Sequence, residues 1–457
     1  MHAGAGRAWR ALNQKEYNKA MEKKIRLDVV IFLLVSAIIL TALTTTIVIN
    51  KRVSSLSEIQ STFSKLKNLD ELVKEHYIGI LDSEELSDNV ARGYVRGMGD
   101  EYAQYFTKAE YKDYMSQITG EYEGVGLSVV WMEGEGMFVT AVSKGSPAEE
   151  SGVQVGDLIV EVEGEGPDTL TYDEMVTRMS GEVGTLVSFK VRRGGEEIDF
   201  EILRREFEEV TVDYQLLGHI GYVKITGFNN LTPKYFEQAI DDLTARGVTA
   251  YIFDVRGNGG GTIDSVVDCL DRLIIKGTTV ATAERKYDSS QAAGSNKTVY
   301  QTETAAEVNL PMIVLVDGNT ASGGELFAAA LRDIKEAPLI GSVTFGKGTG
   351  QSTYKLPDDS YIKMTDFSYT PPSGISYNNI GLIPDDVIEL TDEQQQDLYT
   401  MDLKDDPHIL KAFERLGVDP GVMDGGYAEI DPNYSGSSSS SSGASESESS
   451  GSESSAA

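Results

Sequence analysis

The sequence predicts a multidomain α/β protein, and three observations carry that reading. From Phe207 to about Leu390, apolar strand-like runs alternate with amphipathic helical ones, the pattern of an α/β layer around a largely parallel sheet. From Tyr122 to about Arg205 the chain reads as short strands and one helix, a separate β-rich module. Ahead of both, Val29 to Ile49 is an apolar, uncharged run of membrane-spanning length.

At the N-terminus, residues 1–28 form a basic tail with Arg7, Arg10, Lys15, Lys19, Lys23, Lys24 and Arg26. The 21 residues Val29 to Ile49 span about 31 Å as a helix at about 1.5 Å each, against a bilayer core of about 30 Å. The basic flank predicts a cytoplasmic N-terminus with everything after Lys51 outside, hence a single-pass cell-membrane protein with an extracytoplasmic core. The run is long for a cleaved signal peptide and no clear A-x-A site follows, which favours an uncleaved anchor. Met21 opens a compact basic start of its own.

Residues 53–120 are expected to form a helical arm, because Leu56, Ile59, Phe63, Leu66, Leu69 and Leu72 recur at three- and four-residue steps. At the other end, a helical segment is expected over 396–433. Residues 434–457 are nearly all serine, glycine and glutamate; they cannot bury apolar surface and are expected to be disordered. The last residues, Ser455-Ala456-Ala457, are small and uncharged, so self-trimming is a further expectation. Net charge −32 over 457 residues argues against nucleic acid as a partner. The single cysteine, Cys269, excludes an intrachain disulfide and reads as a small apolar residue on a helix.

The chemistry concentrates in residues 310–351. Met312 to Val316 reads as a buried strand, Asp317-Gly318-Asn319 as a turn, and Thr320 to Glu325 as the start of a helix running through Phe327, Leu331 and Ile334. A second strand, Leu339 to Gly341, leads to Phe345-Gly346-Lys347-Gly348 and then Gln351. A serine hydroxyl is a poor nucleophile until a base takes its proton, and a lysine can be that base when desolvation keeps it neutral. Glycines on both sides of Lys347 let its backbone pack closely. Ser322 at a helix start adds free N–H groups and the positive end of the dipole, suited to an oxyanion. The plain alternatives are that Ser322-x-x-Glu325 is a capping box and that Lys347 is an exposed turn lysine. Gly341-x-x-x-x-Gly346-Lys347 lacks the Ser or Thr that a phosphate-binding loop needs after its lysine, since Gly348 stands there.

This text resembles the active-site signature of the C-terminal processing peptidases, or tail-specific proteases: S-A-S-A-S-E, a helix, then T-F-G-K-G-x-x-Q. The resemblance implies a crotonase-like α/β serine-lysine protease core over 206–395, with Ser322 as nucleophile, Lys347 as general base and Gln351 orienting the lysine. It also implies that Gly323 offers its N–H to the oxyanion. The sequence departs at Gly323-Gly324, where the family usually has Ala and Ser. Asp254 and Arg256-Gly257-Asn258-Gly259-Gly260-Gly261 resemble the family's D-L-R-x-N-x-G-G, and the second oxyanion donor falls on Gly260 or Gly261, a choice the sequence leaves open.

The stretch Arg96 to Phe106 resembles the family's segment ahead of its PDZ domain, and no catalytic role is carried over from it. Residues 121–205 are similar to a PDZ domain, which implies that a peptide adds a strand beside Leu127 to Val130. Backbone N–H groups near Val125, Gly126 and Leu127 would hold its terminal carboxylate. The segment Ser180-Gly181-Glu182-Val183-Gly184-Thr185 lacks the arginine of the family's L-R-G-x-x-G-T. Tyr369 to Gly374 and Gly381 to Asp385 resemble Y-T-P-S-G-R and G-I-x-P-D and are expected to shape the sheet edge rather than do chemistry.

The function so implied is a membrane-anchored serine endopeptidase that cleaves extracytoplasmic proteins at or near their C-terminal tails, with no metal or cofactor. Relatives imply homodimers built through the terminal helices. Two other readings stand beside it: an inactive PDZ adaptor that presents tails, and a Ser-His-Asp hydrolase drawing on His76, His219 or His408, none of which sits in a recognisable motif.

Overall fold

The computed structural model describes residues 27–286, 296–304, 307–388, 390–398 and 401–423. The basic tail, Met21 and the serine-rich tail lie outside the described residues. Side chains are described neither for 27–30 and 47–62 nor for 392, 396 and 397. The chain divides into two units, Met1–Leu86 and Ser87–Ala457.

The first unit is dominated by one helix of 50 residues, Leu27–His76. Within it Ile31, Phe32, Leu33, Leu34, Ile38, Ile39, Leu40 and Leu43 are exposed. Among the described residues no helix is long and apolar enough to cross a membrane. Within the apolar run Val29 to Ile49 the described side chains are Ile31 to Thr46, 16 residues or about 24 Å of helix. The side chains of the expected span are therefore described only in part.

In the second unit the arm is not helical throughout. The helix Ser83–Arg96 stops before Gly99, which takes φ 74°. A short strand, Gln104–Phe106, follows, and then the helix Lys108–Thr119, with a Thr107/Glu110 capping box.

The β-rich module is a five-stranded antiparallel sheet of Leu127–Met132, Gly136–Val142, Leu158–Val162, Leu186–Arg193 and Glu196–Leu203, paired in chain order. Alternation along Leu186–Arg193 buries Val187, Phe189 and Val191 on one face. These pack with Met137, Val139, Ile159 and Val162 into a core of their own. The strands entering and leaving the module, Glu121–Gly124 and Arg205–Glu208, pair antiparallel with each other, so the module is an insertion closed at its neck.

The α/β core has two sheets. The first runs in the order Asp386–Val387, Leu339–Gly341, Met312–Val316, Ala250–Asp254, Ile220–Ile225, Val212–Leu217 and is parallel except at the last pair. Its central strands Ala250–Asp254 and Met312–Val316 are buried along their whole length, as expected of a parallel sheet covered on both faces. The helices Thr232–Ala245, Ile263–Asp271 and Gly323–Lys335 pack on it, and Ile409, Ala412 and Phe413 of the helix Pro407–Leu416 join the second core cluster with Ile252, Ile313 and Leu315.

The second sheet is antiparallel, and its assembly is not apparent from local patterning. Tyr361–Thr370 is its centre, flanked by Gln104–Phe106, Thr279–Arg285 and Thr349–Lys355, with Lys297–Gln301 beyond Thr279–Arg285. Through the register Gln104↔Lys363 and Phe106↔Tyr361 the chain ahead of the β-rich module becomes part of the α/β core.

Candidate active site

The site forms where loops leave the carboxyl ends of two neighbouring parallel strands, the usual ligand position in such sheets. After Met312–Val316, the Asp317 carboxylate accepts hydrogen bonds from the N–H groups of Asn319 and Thr320 and from Gly257 of the adjacent loop, each at 2.9–3.0 Å. The chain then reaches Ser322 at φ 52°, ψ −112°, a conformation that costs a non-glycine residue on the order of 1–3 kcal/mol. Ser322 is the first residue before the helix Gly323–Lys335, and its side chain makes no cap hydrogen bond. The helix start is anchored from below by Phe327, which meets Phe228 and Phe253 at 5.6 Å and Phe236 at 6.0 Å between ring centres.

The second loop follows Ala250–Asp254 and presses on the first. A Cβ at Gly260 would lie 2.7 Å from Gly323 N and 2.8 Å from Ser322 Cβ, so only glycine lets the two backbones come this close. Asn258 ties the loops together: its carbonyl accepts Ala321 N–H at 2.9 Å, its Oδ1 accepts Gly260 N–H at 2.8 Å, and its amide donates to the Ile225 carbonyl at 2.9 Å. The Gly260 N–H is thereby engaged. Gly261 is exposed, and among the described residues its N–H has no such partner. At Gly324 a Cβ would stand 2.9 Å from the Asn258 carbonyl; the Gly323-Gly324 pair therefore matches loops set close together.

Beneath the Arg256 end of this loop lies a buried charged cluster. The Arg256 guanidinium bonds Asp254 at 2.6 and 2.9 Å, Asp406 at 2.8 Å and His408 Nδ1 at 3.0 Å. Burial alone would raise the Asp406 carboxyl, but His408 and Arg256 override it and hold the group down at about 2. The segment Asp406–His408 thus fastens the loop from the back of the sheet. His408 is consumed in this cluster rather than in a triad with Ser322.

Glu325 joins the serine loop to the lysine loop. It is fully buried, and its Oε2 accepts Ser322 N–H at 2.9 Å and Lys347 N–H at 2.8 Å. Its Oε1 accepts Gly346 N–H at 2.7 Å and the Thr344 hydroxyl at 2.5 Å. One arm of the capping box is present, and the same carboxylate extends to the turn that bears the lysine.

Lys347 is half-buried, with Nζ 4.2 Å from the centre of the Tyr102 ring. Burial, and then the neighbouring Lys363, push its amine below the usual lysine range, opposed by Asp100, Glu101 and Glu325. Gln351 donates to Thr365 Oγ1 at 3.0 Å, and Thr365 in turn donates to Asp100. Ser322 Oγ lies 3.2 Å from the hydroxyl of Tyr369, which donates to the Lys347 carbonyl at 2.9 Å. Among the described residues no hydrogen bond joins Ser322 Oγ to Lys347 Nζ, or Gln351 to Lys347. The structure brings Ser322, Lys347, Gly323, Gly260 and Gly261 into one site and sets Gln351 on Thr365.

Three contributors escaped sequence reasoning. Tyr102 and Asp100 belong to a segment to which no role was assigned, and Tyr369 to one expected only to shape an edge. The Tyr-rich text around 102–106 was a signal, but only the pairing of Gln104–Phe106 with Tyr361–Thr370 shows where it goes.

In the β-rich module, Val125, Gly126 and Leu127 line a groove of 420 Å³ together with Val129, Val176 and Met179. Gly126 takes φ 84°, and a Cβ there would meet Ser146 Cβ at 2.2 Å, so this turn requires glycine. The Ser180–Thr185 segment, which lacks its own arginine, is held by buried Arg204, which bonds the Met179 and Arg178 carbonyls, Thr185 Oγ1 and the Leu186 carbonyl.

Comparison with known proteins gives the family. Residues 219–388 match peptidase family S41, and residues 138–193 match the PDZ domain. The chain is 33% identical to the carboxy-terminal processing protease CtpA of Bacillus subtilis (strain 168) over 377 residues, covering 81% of this chain and 79% of that protein. It is 31% identical to a probable CtpA-like serine protease of Staphylococcus aureus (strain COL), covering 79% and 72%. A solved photosystem II D1 C-terminal processing protease aligns at 24% identity over 70% of this chain and 86% of its own, with a TM-score of 0.42. The chain belongs to the CtpA-like carboxy-terminal processing proteases, serine peptidases of family S41 that carry a PDZ domain.

Proposed function

We propose that Ser322 is the nucleophile and Lys347 the general base, with the backbone N–H groups of Gly323 and Gly261 holding the oxyanion. The observation that carries this is the Glu325 carboxylate, one oxygen of which positions the backbones of both Ser322 and Lys347. Neutral Lys347 takes the Ser322 Oγ proton as Oγ attacks the scissile carbonyl. The resulting ammonium gives that proton to the leaving amine, and an acyl ester remains on Ser322. Lys347 then takes a proton from water, whose oxygen attacks the ester, and returns that proton to Ser322 Oγ as the acyl C–Oγ bond breaks and the new C-terminus leaves. This requires the Lys347 side chain to turn from the Tyr102 ring toward Ser322, with Gln351 orienting it there. Gly261 is preferred to Gly260 as second donor because Asn258 already occupies the Gly260 N–H.

The substrates are peptides with free C-termini. We place the terminal carboxylate at the backbone of Val125, Gly126 and Leu127, with the tail added beside Leu127 to Val130. The apolar run Val29 to Ile49 and the basic residues before it support a cell-membrane anchor with the protease outside the cytoplasm; release of the full chain from membranes by alkaline carbonate would refute it. Dimerisation through the terminal helices belongs to the same reading and is checked by sedimentation.

The test of the catalytic assignment uses the full chain and an unstructured protein with a small, apolar C-terminal tail. Ser322→Ala is expected to bind the tail and leave it uncut. Cleavage by Ser322→Ala refutes the assignment.

A further inference from the structure

We propose that Tyr369 is a further catalytic-site residue of this protease: its phenol oxygen accepts the Ser322 hydroxyl hydrogen bond and aims the nucleophile, while its own O–H is anchored on the Lys347 carbonyl. The direction of these bonds follows from donor capacity. A carbonyl can only accept and a phenol has one proton, so the 2.9 Å contact to Lys347 O uses the Tyr369 hydrogen. In the 3.2 Å contact Ser322 must then donate and Tyr369 accept. In the resting site the serine proton points at the tyrosine, and it passes to Lys347 when the amine turns in toward Oγ.

The same oxygen fixes the backbone of the base, so nucleophile and base are registered to one atom. Its mounting is rigid. Tyr369 is buried in the central strand Tyr361–Thr370, its N–H donates to the Gly348 carbonyl at 3.0 Å, and its ring lies 6.3 Å from those of Phe367 and Tyr377. Burial pushes its hydroxyl up to about 12, so it stays protonated over the working range and does not compete with Lys347 as base. The charged groups facing Lys347 are Lys363, Asp100, Glu101 and Glu325; none depends on the Tyr369 hydroxyl.

This inference rests on Ser322 as nucleophile. The experiment measures kcat, KM and the pH profile for tail cleavage by the full chain as wild type, Ser322→Ala and Tyr369→Phe, with a melting curve for each. Phenylalanine keeps the ring and removes the hydroxyl's contacts to Ser322, to the Lys347 carbonyl and to Tyr377. The expected result is a kcat lower by about 10- to 100-fold, the scale of a misaimed nucleophile. KM should stay within about twofold and the acid limb should not move, while the melting temperature falls only by what the unpaired Lys347 carbonyl costs. Wild-type kcat in Tyr369→Phe overturns the inference, as does a loss carried by KM, by a displaced acid limb or by a smaller folded fraction at the assay temperature. Cleavage by Ser322→Ala instead overturns the assignment beneath it.

Discussion

Glu325 accepts the Lys347 N–H at 2.8 Å on the same carboxylate oxygen that accepts the Ser322 N–H at 2.9 Å. A residue that caps a helix is therefore also the joint between the loop of Ser322 and the loop of Lys347. Replacing it by glutamine puts an amide donor among four donors. Glu325→Gln is expected to lower stability by about 2–4 kcal/mol, since each buried donor left without an acceptor costs about 1–3 kcal/mol. Activity should fall more steeply than the folded fraction, as read by chemical denaturation alongside kcat. Unchanged kcat in the folded variant would remove Glu325 from the account.

The depressed Lys347 amine yields a prediction for stability. Burial and Lys363 disfavour its charged form in the folded state, so the folded protein loses this proton at lower pH than the unfolded chain. Stability then rises with pH between the folded value and the ordinary lysine value of about 10.4. Lys347→Met is expected to melt higher than wild type at pH 7, with a gain that shrinks as pH climbs through that window. A gain independent of pH would contradict this origin.

Lys363 has its Nζ 4.9 Å from the Tyr114 ring centre and 5.4 Å from that of Phe106. As the second cause of the lowered Lys347 amine, it is expected to help keep the base neutral. Lys363→Met should shift the acid limb of kcat/KM to higher pH, whereas Lys363→Arg should leave it in place. An unmoved limb in Lys363→Met would mean that burial alone sets the amine.

Gly324 reverses the ordinary expectation that returning to a family's usual residue is benign. Its missing Cβ would stand 2.9 Å from the Asn258 carbonyl, the residue that also holds Ala321 and Gly260. Gly324→Ser is expected to cost about 1–3 kcal/mol by overpacking and to lower kcat by moving Gly261 away from the nucleophile. Full activity with an undiminished melting temperature would show that these loops part at no cost.

The back of the loop from Arg256 to Gly261 depends on Arg256. Removing it leaves Asp254 and Asp406 buried without their cation, so Arg256→Met is expected to destabilise by about 3–5 kcal/mol. Asp406, held at about 2, stabilises the fold above its unfolded value of about 3.9 and loses that contribution as pH falls toward 2. Wild type should therefore lose stability in acid over this interval more steeply than the variant.

The strands Ala250–Asp254 and Met312–Val316 and the turns that follow them are legible in the sequence because each is a local pattern: an apolar run, then glycines or a serine before an amphipathic helix. The β-rich module is legible for the same reason. The second sheet is not, since Gln104–Phe106 finds Tyr361–Thr370 across the whole inserted module and no local period encodes that register. Tyr102 and Tyr369 reach the site only through that sheet. Glu325 was read as a helix cap, and the cap is there; its reach to Gly346 and Lys347 depends on how two loops meet in space. The proposed preference for Gly261 over Gly260 rests on one side chain, Asn258, whose direction no motif states.

The most direct test of the serine-lysine account is the pH profile of kcat/KM from pH 6 to 10 for the full chain cleaving an unstructured tail, compared with Lys347→Ala and Ser322→Ala. The account predicts that wild type gains activity well above pH 7 and that both variants lose it across the range. A plateau set by a group near the ordinary histidine value of about 6.5, or Lys347→Ala cleaving with the wild-type profile, would contradict it.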